Sequence, residues 1–473
     1  MESTAQVTDA DAGKLQYGHR YAVLLIVLVA VLMAVIDGTV VNIALPTMTR
    51  YFAVDLAATQ WTITSYLITM TSLLLVFGKI SLYVGRARLF FIGNIVFTVS
   101  SLACGLSGSL TQLIFFRVLQ GAGAAMLFSI SSALIFETSP VAERGRSMGY
   151  LGSTVAIGSI AGPVVGGLVV DSLGWAFIFF INIPIGIILV IAAAHYLRFD
   201  EERRGQFSLD VPGAVMMTAA FVFLILALGN LAADTVITPV TLFFLIAFVA
   251  LLAGFILHER RCAEPLLDLS IFSVSSFSLP LVGLLLVFMA NFMMIVVGPF
   301  YFEGVLNYRP AQVGLVFLIS PALIMIVAPI AGTLFDRYRS RYLATAGMII
   351  TAAAFAMFSY CILTENIPGI LAAFVFAGIG NGFFQSPNNT VIMSALPKEK
   401  VAVASSVTAT ARNLGMALGV SFGSILLSIQ FLFAGDTGDV LTVAPALLAT
   451  SASHIMMLCC FLCVIVALLS MRR

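Results

Sequence analysis

Long apolar stretches dominate the sequence, and short segments that hold most of the charged residues separate them. A helix that crosses a bilayer needs about 20 mostly apolar residues. The stretches that meet this requirement are 20–45, 58–77, 88–108, 111–135, 148–170, 175–197, 210–230, 239–258, 276–302, 311–334, 342–363, 367–392, 401–429 and 448–471. The pattern therefore predicts an all-α integral membrane protein with about fourteen transmembrane helices.

The composition supports a membrane protein and argues against several functions. The chain is 61% hydrophobic and 10% charged, with a mean hydropathy of +1.09, whereas a soluble domain carries about 25% charged residues. A net charge of +1 argues against a nucleic-acid partner. We find no nucleophile–base pair and no His/Cys ligand set, so we expect no enzyme activity, no metal and no cofactor. The Cys459-Cys460-x-x-Cys463 group is interpreted as small apolar filling of the last helix.

Basic residues set the expected orientation. If the N-terminus is inside, predicted cytoplasmic segments hold 19 of the 23 Lys and Arg residues. The outer loops hold only Arg50 and Arg309, and the helices hold Arg117 and Arg412. This asymmetry is what the positive-inside rule demands. It predicts a multi-pass protein of the cell (plasma) membrane with an even helix count and both termini in the cytoplasm.

Two charged connectors on either side of the seventh and eighth stretches suggest the domain organisation. We predict a cytoplasmic tail (1–19), a six-helix bundle (20–197), a linker with two inserted helices (198–275) and a second six-helix bundle (276–473). A weak internal repeat follows the second and the tenth stretches, where Gly78–Arg86 resembles Gly332–Arg341. Internal repeats around a central site are typical of secondary transporters.

Two opposite charges lie inside the first half at matching depth. Asp37 is about 17 residues, or roughly 25 Å, from the cytoplasmic end of its stretch, and Arg117 is roughly 9 Å from the outer end of the fourth. Each is costly in a bilayer, by about 2.5–3.5 kcal/mol on insertion scales, so we expect them to pair. The pair is either a static structural salt bridge or a proton-coupling site. In the second case, a conformational change that separates the two side chains would load or release a proton on Asp37.

Small residues form a dense pattern in the fifth stretch. Gly158, Gly162, Gly166 and Gly167 are spaced so that another helix can approach closely, and Pro163 removes a backbone donor and bends the helix. The simpler interpretation is ordinary small-residue packing. We favour a flexing or sealing helix at an interface between the halves.

The second half has one buried cation and a helix rich in Met and aromatic residues. Arg412 is roughly 16 Å deep, without an obvious acid. Its candidate partners are helix-end carbonyls, Asn388 and Asn389, or an anionic substrate group. Met and aromatic side chains form adaptable surfaces that suit mixed lipophilic ligands. Glu303, at the end of the same helix, is expected at the outer rim of the membrane. The predicted substrate cavity comprises Trp61, Tyr66, Asn291, Met294, Tyr301, Glu303, Asn388, Asn389 and Arg412.

Several motifs together resemble the fourteen-helix drug/proton antiporter family of the major facilitator superfamily. They are Ile36–Pro46, Gln60-Trp61 with Tyr66, Arg117–Ala125, Gly158–Gly167 (the GxxxGPxxGG antiporter motif), Phe179–Pro184, Glu264–Leu266, Pro299 with Tyr301, Ser386–Asn389 and Arg412–Gly415. The resemblance covers nearly the whole chain. It implies export of small lipophilic, often cationic compounds, driven by a proton gradient and without a cofactor, by a monomer in the lipid bilayer.

One loop departs from the family pattern. The family's segment after the second helix reads G-x-L-x-D-R-x-G-R, and Leu82 stands here at the acidic position. The resemblance therefore implies an altered cytoplasmic gate. The remaining gating-loop residues are Gly78, Gly85, Arg86, Asp336 and Arg337.

Three alternatives to an exporter of lipophilic compounds remain open. An uptake facilitator or symporter would share the fold, although the complete motif of the fifth stretch argues against it. An exporter of a lipid or another endogenous amphiphile is compatible with the same residues. A membrane sensor is expected to have a soluble signalling domain, and we find none in this sequence.

Overall fold

The computed structural model describes residues 20–54, 56–197, 210–234, 238–262, 265–308, 310–340, 342–433 and 444–472. All regular structure in these ranges is helical. The long helices are α1 (Arg20–Phe52), α2 (Leu56–Val84), α3 (Arg86–Gly105), α4 (Leu110–Thr138), α5 (Arg144–Leu173), α6 (Phe177–Tyr196), α7 (Val211–Asp234), α8 (Pro239–Glu259), α9 (Ser275–Gly304), α10 (Pro310–Tyr338), α11 (Tyr342–Leu363), α12 (Ile367–Ser394), α13 (Val401–Phe433) and α14 (Pro445–Met471).

The fourteen predicted helices are confirmed, and most are longer than their apolar stretches. Thirteen are long and apolar enough to cross a membrane, and α5, with 30 residues, is the remaining long helix. α1 continues to Phe52 and α2 to Val84, because a helix persists beyond the hydrocarbon as long as its backbone bonds are satisfied. α6 is interrupted at Ile181. The predicted tail 1–19 and much of the connector after α6 lie outside the described residues.

Within each half, the helices pack in equivalent pairs. α1 packs on α5, and α4 packs on α2 and α3. In the second half α9 packs on α13, and α12 packs on α10 and α11. One apolar cluster, from Ala290 to Cys463, is built only from second-half helices. This arrangement agrees with the predicted repeat.

The halves meet along two lines, α5 against α10, and α13 against α2 and α4. Close approach depends on glycines: a Cβ on Gly149 would lie 2.5 Å from the Ala328 carbonyl oxygen, and one on Gly332 would lie 2.3 Å from the Gly145 carbonyl oxygen. A larger residue at either position would force the helices apart at the end where α5 begins and α10 ends.

The inserted helices α7 and α8 pack on each other at the side of the molecule. α7 also contacts α2 and α13, so it touches both halves. α8 presents apolar side chains outward, among them Val240, Phe243, Ile246 and Val249. In a bilayer this exposed face would contact lipid chains.

Candidate functional site

Asp37 lies at the centre of a fully buried polar cluster formed by α1, α3, α4 and α6. The carboxylate has no exposed surface. Arg117 Nη1 donates to Oδ2 at 2.6 Å, and Gln120 Nε2 and Asn182 Nδ2 donate to Oδ1 at 2.9 and 2.8 Å. Ser101 Oγ accepts from Gln120 at 2.8 Å. We call these five residues the Asp37 cluster.

The guanidinium of Arg117 is held in place from several sides. Its Nε donates to the Thr62 carbonyl oxygen at 2.9 Å, and its Nη1 donates also to Gln120 Oε1 at 2.7 Å. Its central carbon lies 4.1 Å from the ring centroid of Tyr66 and 5.6 Å from that of Phe179. Charge pairing and aromatic contact together offset the loss of water around the cation.

The predicted contact between Asp37 and Arg117 is present, and the sequence reasoning missed three members of the cluster. Gln120, Asn182 and Ser101 each stand as polar residues within apolar stretches. That signal was available, because buried polar groups in proteins are almost always hydrogen-bonded to one another. It does not tell which of the many such residues share a site.

The glycines of α5 face α1, the helix that carries Asp37. A Cβ on Gly158 would lie 2.8 Å from Val35 Cγ1, one on Gly162 would lie 1.9 Å from Thr39 Oγ1, and one on Gly166 would lie 2.7 Å from Val40 Cγ2. The prediction put this helix at the interface between the halves. α5 does contact α10 of the second half, but Gly158, Gly162 and Gly166 pack on α1 within the first half. A Cβ on Gly167 would meet nothing within 4 Å, and the Pro163 side chain lies outside the described residues.

An apolar cavity of about 460 Å³ lies between the halves. It extends along the parts of α9 and α10 on the Asp37 side of the interface, away from the Gly145–Gly332 contact. Its wall includes Thr39, Val155, Ser159, Phe288, Asn291, Phe292, Met294, Pro299, Phe317, Ser320, Asn381 and Gln385. None of the described lining residues is charged.

The cavity wall contains a reciprocal amide pair. Asn291 Nδ2 donates to Asn381 Oδ1 at 3.1 Å, and Asn381 Nδ2 donates to Asn291 Oδ1 at 3.2 Å. The remaining hydrogens donate to the carbonyl oxygens of Val287 and Ala377. Both side chains are thus largely satisfied without a ligand.

Of the predicted cavity residues, Asn291 and Met294 line this cavity, and the other seven do not: Trp61, Tyr66, Tyr301, Glu303, Asn388, Asn389 and Arg412. Their neighbours explain the difference. Tyr66 covers Arg117, and Tyr301 is buried with its hydroxyl donating to the Ile362 carbonyl oxygen. Trp61 is 44% exposed on the surface of α2.

Asn388 and Arg412 each contact another part of the structure. Asn388 is buried, and its amide donates to the Pro280 carbonyl oxygen at 3.1 Å. The Arg412 guanidinium lies 5.9 Å from the ring centroid of Phe128 on α4. The contact of Arg412 with Asn388 or Asn389 stays a prediction. Glu303 is the next-to-last residue of α9 and lies away from the cavity.

The gating loops close one end of the interface between the halves. Asp336 Oδ1 accepts from the backbone N–H of Gly145 at 2.9 Å, and Oδ2 accepts from that of Arg146 at 3.1 Å. The carboxylate therefore sits on the first turn of α5, where the free N–H groups and the helix dipole favour an anion. Ser386 Oγ also donates to the Gly145 carbonyl oxygen. These contacts tie α10 and α12 to α5.

The first-half loop makes a different closure. Gly78 packs directly on α13, where a Cβ would lie 2.2 Å from Ser406 Oγ. Gly85 adopts a φ of 94°, which favours glycine, and Arg86 pairs with Glu137. Leu82 contributes no carboxylate to match Asp336. The gate is thus asymmetric, with a helix cap by Asp336 on one side and the close contact of Gly78 with Ser406 on the other. Arg337 lies over the ring of Tyr338.

Comparison with known proteins gives a consistent result. The family model described as Major Facilitator Superfamily matches residues 27–420. The riboflavin transporter RibZ of Clostridioides difficile is 31% identical over 96% of this chain and 98% of its own length. The multidrug export protein EmrB of Escherichia coli is 30% identical over 83% of this chain and 77% of its own length.

Solved structures share the fold at low identity. The human organic anion transporter MFSD10 matches with a TM-score of 0.63 and 13% identity over 94% of this chain and 99% of its own. The proton:xylose symporter XylE matches with a TM-score of 0.60 and 12% identity over 94% and 95%. The chain is a multi-pass membrane transporter and not an enzyme. It belongs to the major facilitator superfamily.

Proposed function

We propose that this protein is a proton-coupled antiporter that exports small lipophilic compounds by alternating access. The observation that carries the proposal is the Asp37 cluster, a carboxylate without exposed surface whose strongest partner, Arg117, is on another helix. A carboxylate inside a membrane protein is a default candidate for an ion or proton path. Relative motion of α1 and α4 would change the pairing and so the affinity of Asp37 for a proton.

The cavity supports a lipophilic cargo. Its aromatic and Met side chains offer an apolar surface of the kind that binds small molecules, with a few polar groups for orientation. Asp37 is already bonded to Arg117, Gln120 and Asn182, so it is not available as a counter-charge for a cationic substrate. We therefore favour neutral compounds over cations. Helices of both halves line the cavity, so one chain suffices to form it, and we propose a monomer as the transport unit.

A second candidate cargo is a flat heteroaromatic compound of the riboflavin type. RibZ, a riboflavin transporter, aligns with this protein over nearly the whole length of both chains. Phe288, Phe292 and Phe317 line the cavity beside the Asn291–Asn381 amides, a combination that suits stacking and edge hydrogen bonds. This candidate keeps the same site and leaves the direction of transport to experiment.

The distribution of basic residues supports an orientation in the membrane, and this orientation places the gate at the cytoplasmic end. We propose that both termini are cytoplasmic in the cell membrane, as the basic residues indicate. The Asp336–α5 contact then lies at the cytoplasmic end, and the cavity lies on the outer side of it. In this arrangement the protein is closed toward the cytoplasm.

The test is transport by purified protein in liposomes with an imposed pH gradient. A panel of neutral dyes, quaternary ammoniums, bile salts, lysolipids and riboflavin would be assayed with the gradient in each direction. Antiport predicts accumulation on the acidic side and reversal when the gradient reverses, whereas symport predicts the opposite polarity. Transport indifferent to the gradient would refute proton coupling. Asp171→Asn, at an exposed position of α5, is the matched control for Asp37→Asn.

A further inference from the structure

Three side chains with metal-ligating atoms meet where α7 begins and α8 ends, and a fourth, Glu259, lies beside them. The ligand atoms of Asp210, His258 and Cys262 all lie within 4.8 Å of one another, and His258 Nε2 is 2.8 Å from Asp210 Oδ1. Glu259 is the neighbour of His258 and turns into the same space. We call these four residues the α7–α8 site. The sequence does not predict it, because Asp210 and His258 come together only when α7 packs on α8.

Two carboxylate oxygens in the α7–α8 site are buried without a donor. Asp210 is 6% exposed and Glu259 4% exposed. Asp210 Oδ2 and Glu259 Oε1 have no hydrogen-bond partner among the described residues. Both oxygens lie beside Gly213, at 2.2 and 2.9 Å from the point where a Cβ would be. Two adjoining buried acceptors without a donor leave a position suited to a cation.

The other carboxylate oxygens have ordinary structural partners. Asp210 Oδ1 accepts from the backbone N–H of Gly213 at 2.9 Å, which caps the first turn of α7. Glu259 Oε2 accepts from the backbone N–H of Leu267 at 3.4 Å. These bonds hold each carboxylate by one oxygen and leave the other directed toward the shared space.

We propose that the α7–α8 site binds a divalent transition-metal ion of the Zn²⁺ type. An imidazole, a thiol and two carboxylates form the mixed N, S and O donor set that Zn²⁺ accepts in a four-coordinate site. Mg²⁺ and Ca²⁺ prefer oxygen alone and would leave the thiol and the imidazole unused. His258 is partly exposed and Cys262 is half-buried, so the ion reaches the site from the aqueous side.

The position of the site gives the ion a structural consequence. The chain that follows Cys262 is bound to both halves of the molecule. Lys79 Nζ, at the end of α2, donates to the Pro265 carbonyl oxygen at 2.6 Å, and Lys400 Nζ contacts Asp268 Oδ2 at 2.6 Å. An ion that joins the ends of α7 and α8 would fix the inserted pair and this connector in one arrangement.

The test is metal binding by tag-free full-length protein in detergent, with Zn²⁺ alone as the probe and a chromophoric chelator as competitor. We expect one tightly held Zn²⁺ per chain. His258→Gln and Cys262→Ser should each weaken it by more than about tenfold, the range seen when even outer partners of a metal are lost. His454→Gln and Cys460→Ser, remote from the site, should bind as the unmodified protein does.

Co²⁺ provides a second measurement on the same variants. A thiolate ligand would give a sulfur-to-cobalt charge-transfer band that Cys460→Ser retains and Cys262→Ser loses. Zn²⁺ should also raise the Tm of the unmodified protein but not that of His258→Gln. Absence of stoichiometric Zn²⁺ binding, or equal binding by all four variants, would overturn the proposal. Each readout is independent of transport, so failure of the proposed export function leaves this test unaffected.

Discussion

Replacement of Asp37 by Asn is the most informative perturbation of the Asp37 cluster. The amide keeps the size of the carboxylate, and its oxygen can still accept from Gln120 and Asn182, which both donate to Oδ1. Its NH₂ group then faces Arg117 Nη1, where Oδ2 accepts at 2.6 Å. One ion pair is therefore lost, and a buried cation remains without a counter-charge.

The cost of this change follows from the burial of both partners. Neither side chain of the pair is exposed. Removal of one partner of a buried pair costs about 3–5 kcal/mol, because the other charge stays desolvated. Replacement of both partners by neutral groups is often close to neutral. The double variant Asp37→Asn/Arg117→Met should therefore recover most of the stability that Asp37→Asn loses.

The assay separates stability from proton coupling. Asp37→Asn in liposomes should retain substrate exchange without a gradient and lose the acceleration that a pH gradient gives, and the double variant should lose it as well. Wild-type rates for Asp37→Asn under a gradient would refute the proton-carrier role. If the double variant regained the response to the gradient, the pair would be a static salt bridge.

Four further predictions concern the gate, α5, the connector after α8 and the cavity. Asp336→Ala removes two charge-assisted bonds worth about 1.5–3 kcal/mol each, so hydrogen exchange at the first turn of α5 should increase; an unchanged rate would contradict the capping role. Pro163→Ala should raise the proton leak or alter the turnover in vesicles. If the leak and the turnover both stay unchanged, the sealing role of α5 is contradicted. Lys400 lowers the pKa of Asp268 to about 2, so the stabilisation by this ion pair is present above pH 4 and is lost as the pH falls through 2. Because both groups are exposed, Lys400→Gln should lower the stability near neutral pH by at most about 1 kcal/mol, measured from the Tm. In high salt the variant and the unmodified protein should have the same Tm. Asn381→Leu should weaken binding of ligands with hydrogen-bonding edges while purely apolar ligands bind unchanged, and equal losses for both classes would refute the assigned cavity.

The helices and the central ion pair were predictable for the same reason. A bilayer fixes helix length, and so it also fixes the depth of each residue along a helix. Asp37 and Arg117 could be matched by depth alone. Gln120 and Asn182 could not, because a shared depth does not say which side of a helix faces the site, and several other amides lie within apolar stretches.

The cavity shows where sequence reasoning reaches its limit. Membrane helices of this chain are apolar on nearly every side, so hydrophobic periodicity does not separate lipid-facing, core and cavity positions. Asn291 and Met294 line the cavity, whereas Tyr301, about two turns beyond Met294 on α9, turns into the core. The α7–α8 site was missed for a related reason, since its members come together only when α7 and α8 pack.

The reciprocal bonds between Asn291 and Asn381 bear on selectivity. Each amide offers the other one donor and one acceptor. The second lone pair of each amide oxygen can accept from a ligand donor without breaking the pair, and an apolar ligand can also leave the pair intact, so neither class leaves a buried polar group unsatisfied. A wall of this kind would discriminate between molecules by shape and size and tolerate wide variation in their functional groups.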